Sequence, residues 1–200
     1  DAKEMDQKSF ELIYLILILT WSFYLGLHSL FASNGVKNLF EKYFSLKGSM
    51  YRLIYSIASV FGFLGLIYLM AVLESTLLFE SRASKALGMF VAIIGVVTIS
   101  MSFRVLSGME FLGLKKQKTE LTLVTTGMHS KVRHPIYTGT ILILIGMFLY
   151  HPTDIALVTD LIIFIYLPLG IYFEESKLIK TFGDEYLAYK KRVPSIIPNF

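Results

Sequence analysis

Residues 133–175 read RHPIYTGTILILIGMFLYHPTDIALVTDLIIFIYLPLGIYFEE. The stretch opens on Arg133-His134-Pro135 and closes on Glu174-Glu175. Between these ends lie two apolar runs, Pro135–Thr153 and Ile155–Phe173, the second interrupted only by Asp160. His151 and Pro152 mark a tight turn between the runs. At ~1.5 Å per helical residue the two arms are of similar length, so His134 and Glu174 are expected to return to the same depth at one end of a helical hairpin.

Three further uncharged runs lie upstream, at Leu12–Val36, Leu53–Leu73 and Ala86–Phe103. A membrane-spanning helix needs about 20 mostly apolar residues, with about 17 as the lower limit. The chain is therefore expected to be an all-α integral membrane protein with five transmembrane helices. Composition agrees: 54% of its 200 residues are hydrophobic and 17% charged, against ~25% charged in soluble domains. The first run is too long for a cleaved leader, and Lys3 and Lys8 are diluted by Asp1, Glu4, Asp6 and Glu11.

Five crossings sort the charges. With the N-terminus, the 74–85 loop and the 150–154 turn on one side, that side holds 4 of the 19 Lys and Arg residues, and the other holds 15. The positive-inside rule then places the N-terminus outside and the C-terminus in the cytoplasm. Segments 104–134 and 174–200 are long and cytoplasmic in this reading, so an active site would face the cytoplasm. No linker divides the chain. One membrane domain over 1–200 is expected, with three helices in 1–104 and the chemistry in 105–200.

Zero cysteines exclude a disulfide framework, a thiolate metal site and a Cys nucleophile. No metal site is expected. A net charge of +4 is modest and gives no reason to expect a nucleic-acid partner.

The ends of the hairpin run against the helix dipole, with cations at a helix start and carboxylates near the close of an apolar span. Arg133 and the free N–H groups of Ile136–Gly139 suit an anionic group; Glu174 and Glu175 suit a cationic one. A zwitterion held across the mouth satisfies both. S-adenosylmethionine fits, with its α-carboxylate, α-ammonium and sulfonium.

The ordered set Gly127-Met128-His129, Arg133-His134-Pro135-Ile136-Tyr137-Thr138-Gly139, Glu174-Glu175, Leu178, Phe182-Gly183-Asp184-Glu185-Tyr186, Tyr189, Val193-Pro194 and Pro198 resembles the isoprenylcysteine carboxyl methyltransferase and phospholipid methyltransferase superfamily. The resemblance covers roughly residues 105–200. It implies an S-adenosyl-L-methionine pocket on the cytoplasmic side, under a C-terminal helical cap. Carried over by position, it makes His129, Arg133, His134, Tyr137, Gly139, Glu174 and Glu175 the cofactor-binding candidates. Glu174 or Glu175 would take the ammonium, Arg133 the carboxylate, and His129 and Tyr137 the adenosine. Which glutamate faces inward stays open, since helical neighbours point about 100° apart.

The N-terminal half is similar to the methanethiol S-methyltransferase and NnrU-like branch, through His28-Ser29-Leu30-Phe31-Ala32-Ser33, Val36-Lys37, Tyr51-Arg52, Tyr55 and Phe111-Leu112-Gly113-Leu114. That likeness favours a small or lipophilic thiol as acceptor. Tyr186–Pro194 instead resembles the tail of isoprenylcysteine enzymes, which favours a lipophilic carboxylate. A thiol has pKa ≈ 8.5 and gains from nearby positive charge, so His134 and Arg192 are the catalytic candidates, with Arg192 serving a carboxylate as a clamp. An NnrU-like haem protein with His28 as axial ligand is the alternative of another class. In the tail, Gly183 is expected to end one helix, Asp184 to cap a second running to about Arg192, and Tyr186 and Tyr189 to turn inward. Lys190, Lys191 and Arg192 also suit an anionic lipid surface. The lipid bilayer is the expected partner throughout.

Overall fold

The computed structural model describes residues 2–46, 48–105, 114 and 122–198. Phe111-Leu112-Gly113 and the charges of Lys47, Lys115, Lys116 and Lys118 lie outside the described residues, as does the side chain of Lys3. The described chain is helical: α1 (Ala2–Phe31), α2 (Asn34–Phe44), α3 (Gly48–Val72), α4 (Arg82–Ser102), a 3-10 turn (Gly127–Ser130), α5 (Pro135–Tyr150), α6 (Asp154–Phe182) and α7 (Asp184–Arg192). One isolated antiparallel bridge, Leu77 to Thr153, is the only β pairing among the described residues.

Four helical segments are long and apolar enough to cross a membrane: Phe10–Phe31, Gly48–Val72, Arg82–Ser102 and Asp154–Phe182. The expected fifth is shorter. The uncharged run extends to Thr153, but its last three residues form the turn, where the Thr153 hydroxyl caps α6 by accepting from the Ala156 N–H. That leaves 16 residues in α5, about 24 Å of helix. Large apolar side chains face outward along the other helices, with Phe23 69%, Phe61 70% and Ile165 75% exposed. In water such a surface would be untenable; against lipid it costs nothing.

The first span also stops early. α1 ends at Phe31 rather than Val36, because Ser33 caps a new helix by accepting from the Val36 N–H at 3.3 Å. This helix, α2, occupies part of the expected 34–52 loop. It buries no residue and leaves Leu39, Tyr43 and Phe44 exposed.

Two packing systems hold the bundle. Leu17 and Trp21 of α1, Leu66 of α3, and Ile155, Ile163 and Leu167 of α6 form the buried core. α5 packs mainly on α4 rather than on its hairpin partner α6. The reason is a pair of glycines on each helix: a Cβ on Gly88 would stand 2.5 Å from the Gly146 carbonyl oxygen, and one on Gly95 2.6 Å from that of Gly139. Only glycine allows two backbones so close. Gly139 thus faces α4, away from the site expected for it.

At the far end, Asp154 accepts from the Tyr14 hydroxyl and from the N–H groups of Thr76 and Ile155, each at 2.8 Å. It ties α1, the 74–81 loop and α6 together, and as a carboxylate at a helix start it suits the dipole. Asp160, the one charge that interrupts the run Ile155–Phe173, is buried, 8% exposed.

Candidate functional site

His134 stands at the start of α5, with Pro135 in the first helical position, where a missing N–H goes unneeded. Its ring is buried between the two glutamates of α6. Nε2 lies 3.1 Å from Glu175 Oε1, and Nδ1 3.7 Å from Glu174 Oε2. Both acids face the same imidazole from neighbouring positions, but their environments differ. The Glu175 side chain is 8% exposed and that of Glu174 46%.

Glu175 is enclosed by cations. Arg133 Nε donates to Glu175 Oε1 at 2.9 Å and Nη2 to the same oxygen at 2.7 Å. Lys190 pairs with the other carboxylate oxygen. Arg133 Nη1 donates to the carbonyls of Lys190, at 3.2 Å, and Val193. A guanidinium has five N–H groups, and these bonds use four. Arg133, expected at one end of a zwitterion, is therefore bonded to Glu175, one of the two acids expected at the other.

The tail after α7 crosses the start of α5. The N–H groups of Arg133 and His134 donate to the carbonyls of Pro194, at 2.8 Å, and Ser195, at 3.0 Å. The Thr138 hydroxyl donates to the Ile196 carbonyl at 2.8 Å, and the Thr138 N–H to the His134 carbonyl at 3.0 Å. Of the N–H groups expected to be free for an anion, that of Thr138 is thus engaged.

α7 follows from Gly183, whose positive φ of 54° breaks the helix as its lack of a Cβ allows. Asp184 is the first helical residue and makes no side-chain cap. Tyr186 and Tyr189 turn inward, 1% and 3% exposed. Tyr189 donates its hydroxyl to the His129 carbonyl at 2.6 Å. Burial pushes the Tyr189 hydroxyl up to about 12, against the pull of Arg133. Burial also raises Tyr186, with the Glu175 charge adding to it.

Two buried polar atoms in this cluster have no partner among the described residues, His129 Nδ1 and the Tyr186 hydroxyl. Burial holds His129 below the ordinary histidine range, while the Glu174 charge pulls the other way. Tyr137 completes the wall, edge-on to the His134 ring with centroids 5.6 Å apart and its hydroxyl facing Glu174 and Gly170.

The structure therefore brings His129, Arg133, His134, Tyr137, Glu174 and Glu175 together. It leaves two candidates apart: Gly139 of α5, which packs against α4, and Arg192, which is exposed and bonds back to the Ala188 carbonyl at 3.4 Å. Lys190, read from sequence only as a lipid-facing charge, belongs to the cluster. Its signal was its place four residues after Tyr186 and next to Tyr189, on a helix that folds back at Gly183.

A helical membrane-type bundle with buried opposite charges at one mouth defines the class. Residues 83–185 match the phospholipid methyltransferase family, and the chain belongs to that family of enzymes. It is 36% identical over 85 residues to the protein-S-isoprenylcysteine O-methyltransferase of Schizosaccharomyces pombe, covering 42% of this chain and 36% of that protein. It is 35% identical over 118 residues to methanethiol S-methyltransferase 1 of Bradyrhizobium diazoefficiens, covering 54% and 40%. The human protein-S-isoprenylcysteine O-methyltransferase matches at 39% over 84 residues, covering 38% and 28%. These matches span less than half the length of each relative. No solved structure matches the chain.

Proposed function

We propose that this protein is an integral-membrane methyltransferase that uses S-adenosylmethionine as donor and a small or lipophilic thiol as acceptor. The carrying observation is the pairing of two orphaned buried atoms, His129 Nδ1 and the Tyr186 hydroxyl, with a half-exposed carboxylate, Glu174, in one cluster. A buried polar atom left unpaired costs about 1–3 kcal/mol, so a ligand that supplies its partner is favoured there.

In this reading Glu174 binds the donor's ammonium, His129 and Tyr137 border the adenosine, and the unused Arg133 N–H meets the carboxylate. Glu175, Arg133 and Lys190 hold the wall in place. His134 orients Glu174 rather than acting on the acceptor, and Arg192 has no part. The donor supplies a methyl on a sulfonium. The protein's task is to align that methyl with the acceptor and exclude water. α5 serves as a short fifth crossing, which puts the cluster at the cytoplasmic face under α7 and the tail, with donor entering from water and acceptor from lipid.

Calorimetric titration of the purified chain with S-adenosylhomocysteine tests this. Glu174→Gln should weaken binding about tenfold or more, the scale of one hydrogen bond to a charge, without moving the thermal midpoint. Unchanged affinity overturns the ammonium assignment, and no binding to the wild type overturns the donor. A product screen with short thiols, long thiols and farnesylcysteine analogues assigns the acceptor, a carboxyl ester replacing the thioether if the thiol reading is wrong.

A further inference from the structure

A second site lies between α1 and α3. It is a half-open cavity of about 740 Å³, bordered at one end by Phe40 of α2 and Leu46, with walls that are almost wholly apolar. None of its lining residues is Asp, Glu, Lys or Arg. One polar group stands in this wall, around His28. His28 Nδ1 lies 3.3 Å from Ser59 Oγ, and the Tyr55 hydroxyl stands 3.0 Å from each ring nitrogen of His28. The Tyr24 ring stacks beside the imidazole at 5.9 Å.

This place adjoins the first cluster. Ser29, next in sequence to His28, bonds the Tyr166 hydroxyl on α6. Tyr137 and Tyr166 both border Gly170 of α6, the Tyr137 hydroxyl 3.3 Å and the Tyr166 ring 3.6 Å from where a Cβ there would stand. Lys177 of α6 bonds the Ala32 carbonyl at the end of α1. The His28 end of the cavity and the Glu174 side of the charge cluster therefore meet across Tyr137 and Tyr166.

Resting on the methyltransferase reading above, we infer that this cavity holds the apolar chain of the acceptor and that His28 takes up the acceptor's thiol proton. A carboxylate would arrive already ionised and need a cation, which this wall does not offer. A thiol needs a base, and His28 is the one imidazole there. The balance is simple: the S–H bond breaks with its proton passing to the His28 ring. The new S–CH3 bond forms from the thiolate pair, and the donor's methyl–sulfonium bond breaks with its pair staying on the donor sulfur. His28 returns the proton to water once the thioether leaves. Groups facing His28 are Tyr24 on its own helix, Tyr55 and Ser59 on α3, and Tyr166 of α6 through Ser29.

The test uses the full chain in lipid nanodiscs, with ethanethiol, octane-1-thiol and a farnesylcysteine analogue as acceptors. An alkanethiol is a weaker acid than cysteine, whose thiol has pKa ≈ 8.5, so it is almost wholly un-ionised at pH 7. His28→Asn should therefore lower thiol turnover at least tenfold at pH 7, with a smaller deficit at pH 9, where hydroxide takes over the task of the base, and with S-adenosylhomocysteine affinity unchanged. Equal loss at both pH values, no loss, or wild type that methylates only the carboxylate overturns the inference. Gly65→Leu gives an independent arm, since a Cβ there meets nothing within 4 Å and the larger side chain fills the cavity. It should cut octane-1-thiol turnover several-fold more than ethanethiol turnover, and an equal effect on both overturns the cavity assignment. If His28→Asn fails to bind S-adenosylhomocysteine, the Gly65→Leu arm decides. Wild type that binds none overturns the donor reading, and this inference with it.

Discussion

Arg133 grips Glu175 through two guanidinium nitrogens, at 2.9 and 2.7 Å, across 42 residues of sequence. Both side chains are at least nine-tenths buried. Two charges taken from water at this depth stabilise only while each keeps its partner.

Arg133→Met should accordingly cost about 3–5 kcal/mol, because it strands a buried carboxylate. Arg133→Lys keeps the charge but loses the fork that also holds the Lys190 and Val193 carbonyls, so it should fall between wild type and Arg133→Met. Thermal midpoints give the order, and limited proteolysis of residues 184–198 shows whether the tail is released. Arg133→Lys equal to wild type would mean that the fork is dispensable.

The glycine contacts between α4 and α5 are equally exacting. Gly95→Ala and Gly146→Ala each place a methyl 2.5–2.6 Å from backbone atoms of the other helix, and overpacking of this kind costs about 1–3 kcal/mol. Gly26→Ala, with nothing within 4 Å, is the control and should be neutral or slightly stabilising, as alanine favours helix. Unfolding midpoints of the three variants in one detergent decide it.

His129 sets a pH dependence. Burial holds its pKa below that of the unfolded chain, ~6.5. Below ~6.5 the unfolded state therefore binds the proton more readily, and stability falls as pH drops through that window. Above ~6.5 the contribution is fully present. His129→Gln should flatten the midpoint between pH 5 and 7. A variant with the wild-type slope would assign that slope to another group.

Much of the bundle could be read directly from hydropathy. Four of the five apolar runs became long helices, and the break at Gly183 fell where a glycine before Asp-Glu suggested it. The Arg-His-Pro and Glu-Glu pairs did meet at one depth. The turn signalled by His151 and Pro152 takes the last residues of the run Pro135–Thr153, which leaves α5 only 16 residues. Composition could not reveal α2, whose start depends on one hydroxyl, Ser33. Gly88, Gly95, Gly139 and Gly146 recur at intervals of seven, a signal visible in the sequence once two helices are known to touch.

The charge cluster was harder for a physical reason. Residue types show that opposite charges can attract a zwitterion or one another, and spacing does not choose between these. Burial does: Glu175, enclosed with Arg133 and Lys190, is satisfied internally, while Glu174 one position earlier keeps an open face. The orphaned atoms of His129 and Tyr186 appear only once α7 has folded back.

The stitching of residues 194–196 onto 133–138 orders events during synthesis. Thr138 waits for a carbonyl 58 residues downstream, roughly 3–12 s at ~5–20 residues per second on the ribosome. Throughout that interval Arg133 lacks the tail carbonyls that engage it later, and the mouth of the hairpin stays unsealed. A chain cut short near residue 190 would carry every long helix yet lack the carbonyls of residues 194–196 that close the mouth.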